Sequence, residues 1–315
     1  MLFFLLAVIF TVMLYLIMRA YPRYQVDSFH AVVFNYYSCV LTGLLLTPDL
    51  NVFRQVEWTS EGTLLTMALG AMFVTAFMLI GLTAQKVSVT ATSLAGNMSL
   101  VIPVLFGLFV FKNNNKDFTA LNYLGLVLAL VALALGAIQR APKTAAPHAG
   151  HPGHGTNANQ PLQAAKQALW IFPVLTFFAS GTNNTLINFL SSKYYPAGQI
   201  TVFMIIACFG AVVIGTSILV YRIIAHGHSL KFRSVVGGLL LGVPNFLSLY
   251  FLLRALAAFG NSAAYVFPIY NILTMLVSAL AAWLLYKERL NALNKWGLVL
   301  AVIAIVLISY QELNL

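Results

Sequence analysis

Five hydrogen-bonding side chains share one face of an otherwise apolar stretch. Thr176, Ser180, Asn183, Asn184 and Asn188 fall within about 140° of one another at 100° per residue. None is charged near neutral pH, so their chemistry is to orient a polar solute or to tie helices together. Smaller sets of the same kind are Thr90, Ser93 and Asn97 at i, i+3 and i+7; Tyr270, Asn271, Thr274 and Ser278 just after Pro268; Asn245 and Ser248 after Pro244; and Thr11 and Tyr15 near the start. Three amides, Asn183, Asn184 and Asn188, exceed what one packing contact between helices uses. The substrate-binding set expected from these patterns is Ser93, Asn97, Ser180, Asn183, Asn184, Asn245, Tyr265, Tyr270 and Asn271.

Equally telling is where charge is missing. All seven acidic residues, Asp27, Asp49, Glu57, Glu61, Asp117, Glu288 and Glu312, fall in loops or at the ends of apolar runs. No carboxylate is placed to carry a proton across a membrane midplane, and no lysine or arginine to hold a phosphate there. The solute is therefore expected to be neutral, zwitterionic or largely apolar, and its movement to be facilitated diffusion or exchange. No Ser/His pair, carboxylate dyad or His/Asp metal cluster occurs at apolar depth, so no catalytic residue, metal or cofactor is expected and the chain is not expected to be an enzyme.

The elements that position these groups follow from composition. Of the 315 residues 61 % are hydrophobic and 8 % charged, and the mean hydropathy is +0.89, which polar surface could not cover in water. Apolar runs of about 20 residues match spanning helices. They cover 2–18, 28–47, 63–83, 88–111, 120–139, 168–189, 198–221, 234–253, 261–286 and 292–310. The first lacks preceding positive charge and a cleavage site, so it reads as a retained span and not a signal peptide. Cys39 and Cys208 lie within spans and read as packing residues. A second-span set, Asn35, Ser38 and Thr42, reads as packing too.

The fifth and tenth runs repeat. ALNYLGLVLALVALALGAIQ at 120–139 and ALNKWGLVLAVIAIVLISYQ at 292–311 are identical at 11 of 20 positions with a constant offset of 172. Weaker matches place Phe34 and Cys39 opposite Phe203 and Cys208 at a slightly smaller offset, and Ser93 and Asn97 near Phe267 and Asn271 at a larger one. An odd number of spans per half inverts the second half in the membrane. The expected fold is all-α, about ten transmembrane helices in two inverted five-helix repeats, 1–140 and 167–315, joined by a His/Gly/Pro-rich linker at 141–166. Small residues in both copies, Gly125/Ala129/Ala132 and Gly297/Ala301/Ala304, imply scaffolding or a homodimer contact through the fifth and tenth spans.

The last 60 residues carry a family likeness. An apolar span, a turn with Lys287, Glu288 and Arg289, then a span led by Gly297 resembles the end of an EamA-like module of the drug/metabolite transporter superfamily. The first copy keeps Gly125 but has KNNNKDF in place of the Glu-Arg turn. The resemblance implies a ten-helix secondary transporter of small metabolites in the bacterial inner membrane, with a pocket lined by the first, third, fourth, sixth, eighth and ninth spans. A lipid-linked amphiphile translocase is the alternative.

Three further features have plain readings. Glu288, between two cations at a span end, is expected to anchor that end at the headgroups. His148, His151 and His154 lack Cys or acidic partners and read as flexible linker. The net charge of +10 is spread over helix ends without a groove or aromatic platform, so the partner is the lipid bilayer and not nucleic acid. Twelve basic residues in odd-numbered loops against five in even-numbered ones put both termini outside by the positive-inside rule, opposite to the arrangement usual for similar transporters.

Overall fold

A computed structural model describes residues 2–109, 119–137, 168–195, 199–227, 229–258, 263–288 and 290–310. The linker with its three histidines, the first-half turn with Lys112, Lys116 and Asp117, and Arg289 and Glu312 lie outside those residues, as does the side chain of Tyr265. Every longer element among the described residues is an α-helix: α1 (Leu2–Ala20), α2 (Ser28–Leu46), α3 (Glu61–Lys86), α4 (Val89–Met98), α5 (Val101–Phe109), α6 (Ala120–Ala137), α7 (Ile171–Tyr194), α8 (Ile200–His226), α9 (Phe232–Ala258), α10 (Ala263–Tyr286) and α11 (Ala292–Ser309).

Starts are written in single polar residues ahead of apolar runs. Asp27 Oδ1 accepts from His30 N at 2.9 Å, Ser60 Oγ from Thr63 N at 3.3 Å, Ser88 Oγ from Ala91 N at 2.9 Å and Asn291 Oδ1 from Asn294 N at 2.7 Å. Each satisfies a backbone donor that the first helical turn leaves open. Among the described residues six helical segments, including Leu2–Tyr24, Glu61–Lys86 and Ile200–Ala225, are long and apolar enough to cross a membrane, and Ala120–Leu135 and Ala292–Ile308 are shorter apolar helices. Large apolar side chains such as Leu45, Leu64, Ile224, Leu240 and Leu285 point outward. In water that surface would drive aggregation; in lipid it is the matching face. The protein is membrane-embedded.

The closest packing comes in pairs. On α3 and α8, Gly70 faces the backbone of Gly210 and Ala211; on α9 and α2, Gly242 faces the carbonyl of Asn35 and the side chain of Ser38. The residue numbers are related, since 242 − 70 = 172 and 210 − 38 = 172. Likewise Gly43 abuts Ile205 and Phe246, while Gly215 abuts Val33 and Val74, and 215 − 43, 205 − 33 and 246 − 74 all equal 172. Contacts among α2, α3, α8 and α9 thus recur at the spacing of 172 that relates 120–139 to 292–311.

The repeated segments pack on each other. Ala129, Ala132, Ala301 and Ala304 are fully buried between α6 and α11, and a Cβ at Gly125 would lie 2.9 Å from the backbone N of Ile308. Asn122 Nδ2 donates to Leu307 O at 3.3 Å and Ile308 O at 2.8 Å; Asn294 Nδ2 donates to Leu135 O at 3.3 Å. Both clips again obey the 172 offset (294 − 122 and 307 − 135). The small-residue stripes therefore meet within one chain, leaving Leu124, Val127, Leu130, Trp296, Val299 and Ile303 facing outward for lipid or a second copy. Asn122→Ala and Asn294→Ala should each destabilise the protein by about 0.6–1.7 kcal/mol, with the larger loss at Asn122, whose Oδ1 also accepts from Thr119 N and Oγ1, as read from thermal unfolding in detergent.

Candidate functional site

The fourth apolar run is two helices. Pro103 has no N–H, and its ring would collide with the carbonyl four residues back, that of Ser99. The chain responds by ending α4 at Met98 and starting α5 at Val101. Ser99 O is taken by Ile102 N at 3.0 Å, Asn97 O by Leu100 N at 3.3 Å, and Ser99 Oγ donates to Gly96 O at 2.6 Å. Backbone irregularity at this depth persists only where protein or a polar cavity satisfies it.

Polar side chains from several helices gather around α4. Ser93 Oγ donates to Thr274 O on α10 at 3.4 Å, and Asn97 Nδ2 folds back on Ser93 O at 2.7 Å and Ser93 Oγ at 3.1 Å. Asn184 Nδ2 on α7 reaches Ser99 Oγ at 3.5 Å, the limit of a hydrogen bond. From α1, Thr11 Oγ1 bonds Tyr270 OH at 2.5 Å, and Tyr15 OH lies 3.3 Å from where a Cβ on Gly96 would be. Thr83 and Thr176 join α3 to α7 at 2.7 Å. Asn271, one turn before Thr274, is buried. Ser93, Asn97, Ser180, Asn183, Asn184, Tyr270 and Asn271 thus lie on three helices, α4, α7 and α10, of which α4 packs on both others.

Two of these groups are left unsatisfied. Ser180 Oγ and Asn183 Oδ1 are buried and have no hydrogen-bond partner among the described residues. A buried acceptor without a partner costs about 1–3 kcal/mol, so both atoms are poised for a ligand or water.

Asn245 is elsewhere. Its Nδ2 donates to Asn35 Oδ1 at 3.2 Å and contacts Cys39 Sγ at 3.4 Å, inside the α2/α9 crossing. Asn35 and Ser38, read as packing, do pack there, and Asn245 belongs with them; its sequence position after Pro244 carries no information about which neighbour it meets.

Sequence reasoning missed a charged network at one end of the bundle. Glu288 Oε1 accepts from Val89 N at 3.1 Å, Oε2 from Thr90 Oγ1 at 3.4 Å, and Arg19 Nε lies 3.7 Å from Oε1. Arg19 donates to Ala84 O at 2.7 Å and to Gln85 O. The Glu288 side chain is only 10 % exposed, so it caps α4 internally and does not anchor at the headgroups. Its signal was the helix start at Ser88, whose open N–H groups attract a carboxylate.

A cavity of about 420 Å³ lies at the opposite end. Gln55, Glu57, Glu61, Tyr194, Tyr195 and Gln199 contribute its polar lining, with Tyr194 OH donating to Glu61 Oε1 at 3.0 Å. None of the nine residues singled out from sequence lines it. Because its lining includes no unsatisfied buried group, we place the candidate site at the α4/α5 break.

No family model matches the chain. It is similar to an uncharacterised protein of Haemophilus influenzae, with 24 % identity over 290 residues covering 90 % of this chain and 88 % of that protein.

Proposed function

We propose that the chain is a secondary transporter of a small neutral, zwitterionic or largely apolar metabolite, built from two inverted five-helix repeats with ten crossings. On this reading the span formed by α4 and α5 is one broken crossing. The observation carrying it is that break, set among polar groups from both halves with Ser180 Oγ and Asn183 Oδ1 unsatisfied; discontinuous spans at a repeat interface are where such transporters bind solute. Inverted repeats are supported by the contacts related through 172, above all the reciprocal clips of Asn122 and Asn294 on antiparallel helices. The EamA-like turn at Glu288 and Gly297 adds the family reading. Alternating access by exchange follows from the absence of charge among the site residues.

Asn183→Leu removes an amide that one packing contact does not use. Exchange of the solute in proteoliposomes, the solute being found by comparing metabolites retained by cells with and without the gene, should fall at least about tenfold, since leaving a bound polar group unpaired costs on the order of 1–3 kcal/mol. Normal exchange by a folded Asn183→Leu protein would overturn the site. A second reading, a translocase for a lipid-linked amphiphile, is favoured by one fact: Thr182, Asn184 and Asn188 are exposed on α7, a polar strip that a headgroup sliding along a lateral groove could use. Scrambling of a fluorescent lipid-linked probe by the same proteoliposomes would select it.

Orientation belongs to the same proposal. Arg19, Arg23, Lys86, Arg222, Lys231, Arg233, Lys287 and Lys295 lie at the end where α1 finishes and α4 begins, against Arg54, Lys193 and Arg254 at the other, among the described residues. The basic end is then cytoplasmic and both termini are outside. An alkaline phosphatase fusion after Leu315, active only in the periplasm, should be active; a fluorescent cytoplasmic fusion there would reverse the assignment.

A further inference from the structure

We propose that the Arg19–Glu288 network is the gate that keeps the basic end of the bundle closed in this conformation. The inference rests on the transport reading, which requires two ends that open in turn.

Four helix ends meet at this network, and each is held by a specific bond. Arg19, in the last turn of α1, takes the final carbonyls of α3, at Ala84 and Gln85. Such carbonyls are the unsatisfied, negative end of a helix, and a guanidinium offers the fork of donors that suits them. Glu288, just after α10, takes the open donors of α4 at Val89 N and Thr90 Oγ1, the positive end. The 3.7 Å contact between Arg19 and Glu288 joins the two halves of the network. Tyr286 OH adds a bond to Leu16 O at 2.7 Å, tying α10 to α1 a second time.

Local backbone shows that Glu288 is aimed inward. Lys287 has φ 52, a left-handed conformation uncommon for a residue with a side chain. That single residue turns the chain so that Glu288 N reaches Ala282 O at 3.2 Å and its carboxylate faces α4. Without the turn, a carboxylate between Lys287 and Arg289 would extend into solvent.

The network is placed to report to the site. Ser93 lies one turn beyond Thr90 on α4 and contacts Thr274 on α10, so α4 cannot move away from α1 and α10 at its start without breaking the Glu288 bonds. At the opposite end the molecule instead holds the 420 Å³ cavity beside Tyr194 and Tyr195. The basic end is held by an ion pair that joins four helix ends, whereas the cavity end is held by the neutral-donor bonds of Tyr194 to Glu61 and Tyr195 to Thr66; a transporter that opens its ends in turn needs such a difference between them. Both charged side chains are largely withdrawn from solvent, at 25 % and 10 % exposure, so losing one partner leaves the other poorly compensated and favours separation of the helices.

The test reads access and not transport. Ser93→Cys is placed on α4 and labelled with a membrane-impermeant methanethiosulfonate reagent applied to either face of oriented vesicles, with rates corrected by the same protein lacking that cysteine. In the parent, labelling from the basic end should be slow. Glu288→Gln and Arg19→Gln should each accelerate it at least tenfold while labelling from the opposite end slows or is unchanged. The double variant should label no faster than the quicker single one, because both changes undo the same latch. Unchanged labelling from the basic end in single variants that elute as the parent does would overturn the gate, as would equal acceleration from both ends, which signals general loosening. Solute exchange measured separately distinguishes the two readings: exchange without latch-dependent access removes only the gate, and latch-dependent access without exchange of any metabolite removes the transport reading.

Discussion

Gly242→Leu should prevent the protein from folding, while Gly227→Ala should leave it nearly unaffected. A Cβ on Gly242 would overlap the carbonyl oxygen of Asn35 and the Ser38 side chain, whose Oγ lies 3.0 Å away. Backbone atoms of a helix cannot give way as the tip of a flexible side chain can, so α9 and α2 would have to separate along their whole contact. That contact also holds Cys39 Sγ 3.4 Å from Gly242 O and Asn245 on Asn35, so separation strands several buried polar groups together. The combined cost exceeds about 4 kcal/mol, the level reached only by core overpacking or stranded polar groups. In lipid no hydrophobic gain compensates, since close backbone approach is itself what holds such helices together. Gly227, by contrast, has nothing within 4 Å of its Cβ position among the described residues. Its φ of 62 makes alanine mildly strained, at about 1 kcal/mol, and no more. Fluorescence-detected gel filtration of both variants checks the contrast: a monodisperse Gly242→Leu peak at parental yield would mean the crossing is looser than described. Gly70→Leu should fail like Gly242→Leu, because it meets Gly210 and Ala211 on α8 in the related way.

Much of this was legible in the chain, for identifiable reasons. Composition and run length reveal the solvent and the approximate spans, because lipid demands them of any sequence. The identity of 120–139 and 292–311 points to pairing partners, since Asn122 and Asn294 make the same bond in both copies. The polar faces of α4 and α10 meet at Ser93 and Thr274, while the face of α7 is divided, with Thr176 and Ser180 buried and Asn184 and Asn188 exposed. What stayed hidden depends on neighbours. Asn245 and Asn183 look alike in sequence; one bonds Asn35 inside a crossing and the other has an acceptor without a partner, and only the placement of α2 separates them. Glu288 sits in a charged turn that reads as a headgroup anchor until α4 is seen to begin against it. The small-residue stripes signalled close approach but could not say whether the partner was the other half or another chain.

The break between α4 and α5 was half legible. Pro103 announces a disturbance, yet Pro244 lies inside the continuous helix α9, so a proline alone does not decide between a kink and a gap. The difference falls at Ser99, whose hydroxyl bonds Gly96 O and whose carbonyl is taken by Ile102 N, giving the ends of α4 and α5 local partners that make the gap tolerable. Pro103→Ala restores the missing N–H and removes the ring from the Ser99 carbonyl. Since proline within a helix costs roughly 3 kcal/mol relative to alanine, the variant should regain part of that, join α4 to α5, and raise the unfolding midpoint. Function should move the other way. Closing the gap draws Ser99 Oγ away from Asn184 Nδ2 and shifts α5, against which Gly181 packs at Ile102, 2.8 Å from its Cβ position. The side chains of Ser180 and Asn183 beside Gly181 would then lose their present aim. Solute exchange should fall at least about tenfold, the effect of misplacing site groups by about 1 Å, in a protein more stable than its parent. Stability rising with exchange intact would mean that the break serves packing alone; both falling together would mean that α5 depends on the proline for its place against α7.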